Sequence, residues 1–481
     1  MKIKRILSAI LAFAMLLSAG ILTGCKETVG SDEPAPTEQT GANEPGKPDP
    51  TEKPDPSDLL VCAPEKREYV QHASAQKDDD YEGDWNAFAA RDELWRAALT
   101  ERRLAALKVL PMGDFAGRLT EQLIKENEGR NIIWSPVNVY LAFAMLAETS
   151  DGETRAQILD LLGVSDINAL RNTASALIKA ESNDDGVNTS LVANSLWLNK
   201  YWGFYDDTLR ILADNYGASS YWGDPSDPAM TEALQNWLNE NTGGLLEEAA
   251  KNVRLEPSTV LAIASTIYFK TAWADEFNKD LTKKDIFHAI GREIECDFMH
   301  TSISQHDSLY YKGEGFSATY QALRSESNSV WYLLPDEGVS VEEMLKNGGM
   351  DFIGSCFEGA SGGKIIRLTA PKMDVSSELD LVSAVKALGV TDCFAPSKAD
   401  FSPLSPNHEG LWVDQIKHAA RVKTDEEGIE AAAFTVMVMC GSAYIPDPEI
   451  IDFTLDRPFV FVVTGVSDQP LFIGVVNNPV E

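Results

Sequence analysis

Along residues 429–440 the hydrophobic pattern has period two. Ile429, Ala431, Ala433, Thr435, Met437 and Met439 share one face, and Glu430, Ala432, Phe434, Val436, Val438 and Cys440 the other. Such alternation predicts a strand whose small, apolar face is buried in a sheet. Left in solvent, a segment this poor in charge and free of proline would be an aggregation hazard. It lies between a His-bearing segment at His418 and a turn carrying Pro446 and Pro448.

Elsewhere the pattern mixes periods. Residues 114–126 repeat apolar positions at helical spacing behind a candidate N-cap, Asp114, and residues 137–147 read as a more buried helix. Residues 379–388 predict a helix closed by Gly389. Strands are expected over 190–198, 260–269, 330–334, 365–370 and 459–464. Helices come first and strands later without regular alternation, which predicts an α+β fold rather than a doubly wound sheet. Ahead of this body, residues 59–110 carry three consecutive aspartates from Asp78, then Trp85, Phe88, Leu94, Trp95, Ala98 and Leu104 at roughly helical spacing. One or two helices docked on the body are expected there.

Composition adds an address. Lys2, Lys4 and Arg5 precede an apolar run, and Leu22-Thr23-Gly24-Cys25 is similar to the lipobox of bacterial lipoproteins, so residues 1–24 are expected to be a signal peptide and Cys25 the lipidated residue. The run is shorter than the roughly 20 residues a spanning helix needs. Residues 25–58 are rich in Pro, Asp, Glu and Thr and nearly devoid of large apolar side chains, which predicts a disordered tether. Fully extended, it would reach about 100 Å. The expected location is therefore outside the cell, at the surface of a bacterial membrane. A formal net charge of -33 argues against a nucleic-acid partner, since phosphate binding needs a basic face. Cys62, Cys296, Cys356, Cys393 and Cys440 form no CxxC pair and no disulfide framework.

No hydrolytic constellation stands out. Ser135 and Ser442 lack a G-x-S-x-G elbow, and His72, His288, His300, His306 and His408 are scattered without metal-ligand spacing. An enzyme, a metal site and a cofactor are all unexpected on these residues.

The stretch Glu426-Glu427-Gly428-Ile429-Glu430-Ala431-Ala432-Ala433 resembles the hinge of the serpin family, usually Glu-Glu-Gly-Thr-Glu-Ala-Ala-Ala. Other serpin-like segments lie around it in the family's order: NIIWSPVNVYLAFAMLAETSDGET from Asn131, TIYFKTAW from Thr266, Pro371-Lys372-Met373, Arg457-Pro458-Phe459 and Pro470-Leu471-Phe472-Ile473-Gly474. The match spans about Leu110 to the C-terminus, and residues 111–481 are taken as the serpin domain. The resemblance implies three β-sheets, about eight or nine helices and an exposed reactive-centre loop. It also implies a shutter of Ser135, Asn138, Ser265 and His418, in which Asn138 stands where the family has Ser and Ser265 where it has Asn. Trp273 corresponds to the breach tryptophan. The implied function is irreversible inhibition of a serine or cysteine endopeptidase by a monomer, without cofactor. Counting from the hinge puts the reactive bond between Ser442 and Ala443, which suits an elastase-like or subtilisin-like target; counting from Arg457 puts it between Tyr444 and Ile445. A non-inhibitory serpin-fold binding module at the cell surface is the alternative.

Overall fold

The computed structural model describes residues 56–75, 85–324, 328–429 and 448–481. The signal peptide, Cys25, most of the tether, and hinge and loop residues 430–447 lie outside them.

Burial of the alternating strands builds three sheets of eight, six and four strands. The largest sheet positions the site. From one edge it runs Leu60–Cys62, Ala218–Gly223, Thr189–Asn199, Leu261–Ala272, Gly428–Ile429, Lys417–Thr424 and Met373–Asp380, with Asn183–Asp184 added beside Thr189–Asn199. A second sheet centres on Phe459–Thr464 and Pro470–Val476, buried at every residue. Such continuous apolar runs suit strands covered on both faces. The helix Pro136–Glu148 threads between these two sheets and is itself almost wholly buried. A separate cluster of Trp197, Tyr221, Met230, Leu234 and Trp237 seats the helix Pro228–Glu240 on the large sheet.

Two expectations need correcting. Asp114 does not cap its helix, which starts one residue earlier as Gly113–Glu126; its carboxylate pairs instead with Arg118, one turn on. Leu379 and Asp380 end a strand, Met373–Asp380, and the helix begins only at Val382. Pairing of Leu379 with His418 and of Asp380 with Lys417 holds them extended, so the helix closed by Gly389 starts only after the strand. The docked helix expected in the 59–110 flank is Trp85–Ala106, packed along the helix Ile167–Glu181; what was not expected, among the described residues, is the three-residue strand Leu60–Cys62 that lengthens the large sheet. Arg102 of this helix donates to the Ala180 carbonyl at 2.9 Å and lies near the buried carboxylate of Glu181, which itself accepts from Val466 and Ser467.

Candidate functional site

The large sheet is divided by a seam. Leu261–Ala272 and Lys417–Thr424 are joined, among the described residues, only through Gly428–Ile429: Gly428 pairs with Ala272, and Ile429 with Thr271 on one side and Thr424 on the other. Beneath the seam lies the start of the helix Pro136–Glu148. Ser135 has extended backbone and its hydroxyl accepts from the Asn138 N–H, while Pro136 fills the first helical position, where a missing N–H costs nothing. The Ser135 N–H is thereby free to donate to His418 Nε2 at 3.1 Å. On the other bank, the Ser265 hydroxyl donates to Asn138 Oδ1. The four residues named from the sequence are thus brought together, bridging both banks through one helix N-terminus. The Ser265 and Asn138 pair keeps one hydroxyl and one amide, as the exchanged residue types predict.

This is not a nucleophile and base. The Ser135 backbone N–H, not its hydroxyl, meets the imidazole, and the hydroxyl is committed as the helix cap. Among the described residues no group of His, Cys, Asp and Glu could hold a metal ion, and Cys62, Cys296, Cys356 and Cys393 are free thiols.

Because Nε2 accepts, the His418 proton sits on Nδ1. Burial pushes the imidazole pKa down to about 4 from an ordinary 6.5. The folded state therefore binds fewer protons than the unfolded chain between these values. Stability is fully present above pH 6.5 and is lost as pH falls toward 4, by about 3 kcal/mol in all. Urea unfolding at pH 7 and pH 4.5 should show this loss, and His418→Gln should remove most of its share of it.

At the Ala272 end of the seam the entering chain is held in place. Trp273 is fully buried, and its indole Nε1 donates to the Asp425 carbonyl at 2.8 Å while its backbone N–H donates to Glu427 at 3.0 Å. Phe277 N–H donates to Glu426 O at 3.0 Å, and the Phe277 ring meets Trp273 edge-on. The Asp425 carboxylate accepts from the Glu427 and Gly428 N–H groups, closing a tight turn. Glu426 is buried; burial opposes its charge, but Lys372 at 2.8 Å and the Thr282 hydroxyl at 2.7 Å outweigh this and hold the carboxyl below its usual range. Glu427 pairs with Lys279. Glycine is required at 428, where an added Cβ would lie 2.3 Å from the Thr271 carbonyl oxygen. Ile429, 4% exposed, turns its side chain into the core.

Glu426, Glu427, Gly428 and Ile429 of the predicted hinge are therefore placed. Glu430, Ala431, Ala432 and Ala433, and the bonds Ser442–Ala443 and Tyr444–Ile445, lie outside the described residues. Sequence reading passed over four residues that shape the site. Asp425 could have been found as an Asx turn opening before Gly428. Ser377, whose hydroxyl exchanges hydrogen bonds with both the N–H and the carbonyl of Ile133, and the pair Asn188 and Thr271 carry no local signal.

A mixed α+β body whose large sheet is split by a seam, with Gly428 and Ile429 on one rung between the two banks, defines the class of fold. The sequence comparisons give the family. Residues 111–479 match the family model described as "Serpin (serine protease inhibitor)", and the chain belongs to the serpin family. It is 28% identical to Serpin-ZX of Arabidopsis thaliana, over 74% of this chain and 94% of the relative. A serine protease inhibitor of Cyanea capillata is 26% identical, over 78% of this chain and 100% of its own length. Among solved structures, the thermophilic serpin tengpin in its native state superposes with a TM-score of 0.67 at 27% identity, covering 76% of this chain and 93% of that one. Thyroxine-binding globulin in complex with thyroxine, at 22% identity and a TM-score of 0.66 over 79% of this chain and 100% of its own, shares the fold. Serpins are in general protease inhibitors rather than enzymes, and the family implies a protease as partner.

Proposed function

We propose that this chain is an irreversible, suicide-substrate inhibitor of serine endopeptidases, acting as a monomer outside the cell. The observation that carries the reading is the seat of Gly428 and Ile429 between the two banks of the seam. Their pairing sets a register for everything that follows. Continued without a bulge along Leu261–Ala272, it brings Thr435 opposite Ser265 and Met439 opposite Leu261; continued along Lys417–Thr424, it brings Thr435 opposite His418 as well. Two independent registers thus meet on one residue at the level of the buried Ser135, Asn138, Ser265 and His418 network. The face that Ile429 buries is the face of Ala431, Ala433 and Thr435, side chains small enough to slide between packed strands.

The protease nucleophile attacks the Ser442 carbonyl, the bond to Ala443 breaks, and the new Ala443 amine leaves with a proton. An acyl-enzyme remains on Ser442. The freed segment then enters the seam from Ile429 onward and carries the protease about 40 Å along the sheet, at ~3.3 Å per residue. Distortion of the enzyme against the serpin body stalls deacylation. The route calls on no cofactor, and the hydrogen bonds that the segment gains to both banks on insertion drive it. A cysteine protease, which acylates in the same way, is a second class of target.

Ser442 fills only a small primary pocket, so elastase-like or subtilisin-like enzymes should form complexes that survive SDS, and trypsin-like ones should not. Ser442→Arg should reverse that preference, since a trypsin-like pocket pairs Asp with the cation. Mass spectrometry of the released C-terminal fragment checks the bond. A fragment starting at Ala443 supports it, whereas one starting at Ile445 moves the bait to Tyr444 and the target to a chymotrypsin-like enzyme. Absence of SDS-stable complexes with every protease tested would favour a non-inhibitory binding module.

Anchorage through a lipid on Cys25 and the tether that follows belongs to the same reading. Cys25→Ala should move the protein out of the membrane fraction or leave an unprocessed precursor. Unchanged detergent partitioning of a processed product would exclude lipidation.

A further inference from the structure

The N-terminal flank reaches the hinge through an unbroken set of buried polar contacts. Trp95, on the helix Trp85–Ala106, donates its indole N–H to Asp185 Oδ2 at 2.9 Å. The other oxygen of that carboxylate accepts from the backbone N–H groups of Val187 at 3.0 Å and Asn188 at 2.7 Å, fixing the turn. The Asn188 side-chain oxygen accepts from the Thr271 hydroxyl. Thr271 in turn is the residue that pairs with Ile429 in the seam. Asp185 and Thr271 are each 1% exposed and Asn188 6%, so solvent offers no substitute partner along the way. The flank grips this turn at further points: His72 N–H donates to Asp185 O at 2.8 Å, and Gln71 donates to Asp184 O at 2.9 Å. At Gly186, with φ +80°, an added Cβ would collide with Gln71 and Ala75.

We infer that Trp95, Asp185 and Asn188 are positioning residues for the hinge, and that the docked flank sets how firmly Gly428 and Ile429 are held in the sheet. The element with two arrangements is the hinge, in the seam or out of it. Asn188 orients Thr271 only while the turn keeps its shape, and the Trp95 to Asp185 bond helps hold that shape. Loosening the flank should therefore release Ile429 without unfolding the sheet, a coupling between separated sites carried by contiguous hydrogen bonds. The flank acts on the hinge in the resting protein, whether or not a protease is trapped.

Hydrogen exchange on the full chain tests it. Trp95→Phe keeps an aromatic ring against His72, which meets Trp95 edge-on at 4.5 Å, but removes the donor. Asp185→Asn keeps an acceptor for the Val187 and Asn188 N–H groups while turning an amide donor toward Trp95. Either variant should exchange at least ~5-fold faster than wild type in peptides covering Thr271 to Trp273 and Glu427 to Ile429, a loss on the order of 1 kcal/mol for one buried hydrogen bond. Peptides from Phe459–Thr464 should be unchanged. Glu101→Gln, which breaks the exposed ion pair of the same helix with Lys179, should leave the hinge at the wild-type rate. Faster exchange confined to residues 183–188, or a uniform rise across the molecule in both variants, would overturn the inference.

Discussion

Nicking the loop after Ser442, with no protease left attached, should raise the unfolding midpoint by on the order of 10–20 °C. The reason lies in the seam. Among the described residues its two banks share only the rung of Gly428 and Ile429. A nick frees the segment beyond Ile429 to continue that rung as far as Met439, hydrogen-bonding to both neighbours. Ten residues make about twenty hydrogen bonds there, and at ~0.5 kcal/mol net each, the low end of the usual range, the gain is about 10 kcal/mol. Spread over an unfolding entropy of ~2 cal/mol/K per residue for a body of this size, it gives the shift stated. Burial of Ala431, Ala433 and Thr435 beside Ile429 adds to it. Scanning calorimetry of intact and nicked protein measures the difference directly. Equal midpoints would remove strand insertion from the proposed mechanism.

Ala433→Pro should turn an inhibitor into a substrate. In the register set by Gly428 and Ile429, residue 433 stands opposite Ile267 on one bank and Ala420 on the other, well inside the sheet. Proline there donates no hydrogen bond and its ring resists a central strand. A barrier higher by about 3 kcal/mol slows insertion by more than ~100-fold. Water then has time to hydrolyse the acyl-enzyme. The loop should still be cut, while the number of inhibitor molecules consumed per enzyme inactivated rises at least ~10-fold. Titration of a fixed amount of protease reads that number, and an unchanged value would show that residue 433 does not enter the sheet.

What could be read in the sequence follows from where the information sits. Glu426 to Ile429, Ser135, Asn138, Ser265, His418 and Trp273 lie in short contiguous segments that resemble serpin motifs, and Ser135, Asn138, Ser265 and His418 prove to be neighbours in space. The α+β body was legible because its long strands and helices keep one period over many residues. The strand Leu60–Cys62 was not, since three residues cannot display alternation and its partner, Ala218–Gly223, is distant in sequence. The helix assigned from Leu379 failed for a related reason. A helix closed by Gly389 says nothing about a strand running into it, yet pairing with His418 and Lys417 decides the backbone there. Asn188 and Thr271 look like ordinary polar residues until the fold brings them together across the sheet.

The strand Leu60–Cys62 covers the outer side of Ala218–Gly223, and Arg102 lies near Glu181. Both lie upstream of residue 111, where the family pattern starts. A chain shortened to that pattern would keep every segment by which a serpin is recognised. It would also bare the backbone donors and acceptors of a sheet edge, a template for sticking to another molecule, and leave a buried carboxylate without its nearby cation. The stretch that packs together in this protein is wider than the stretch that its family model covers.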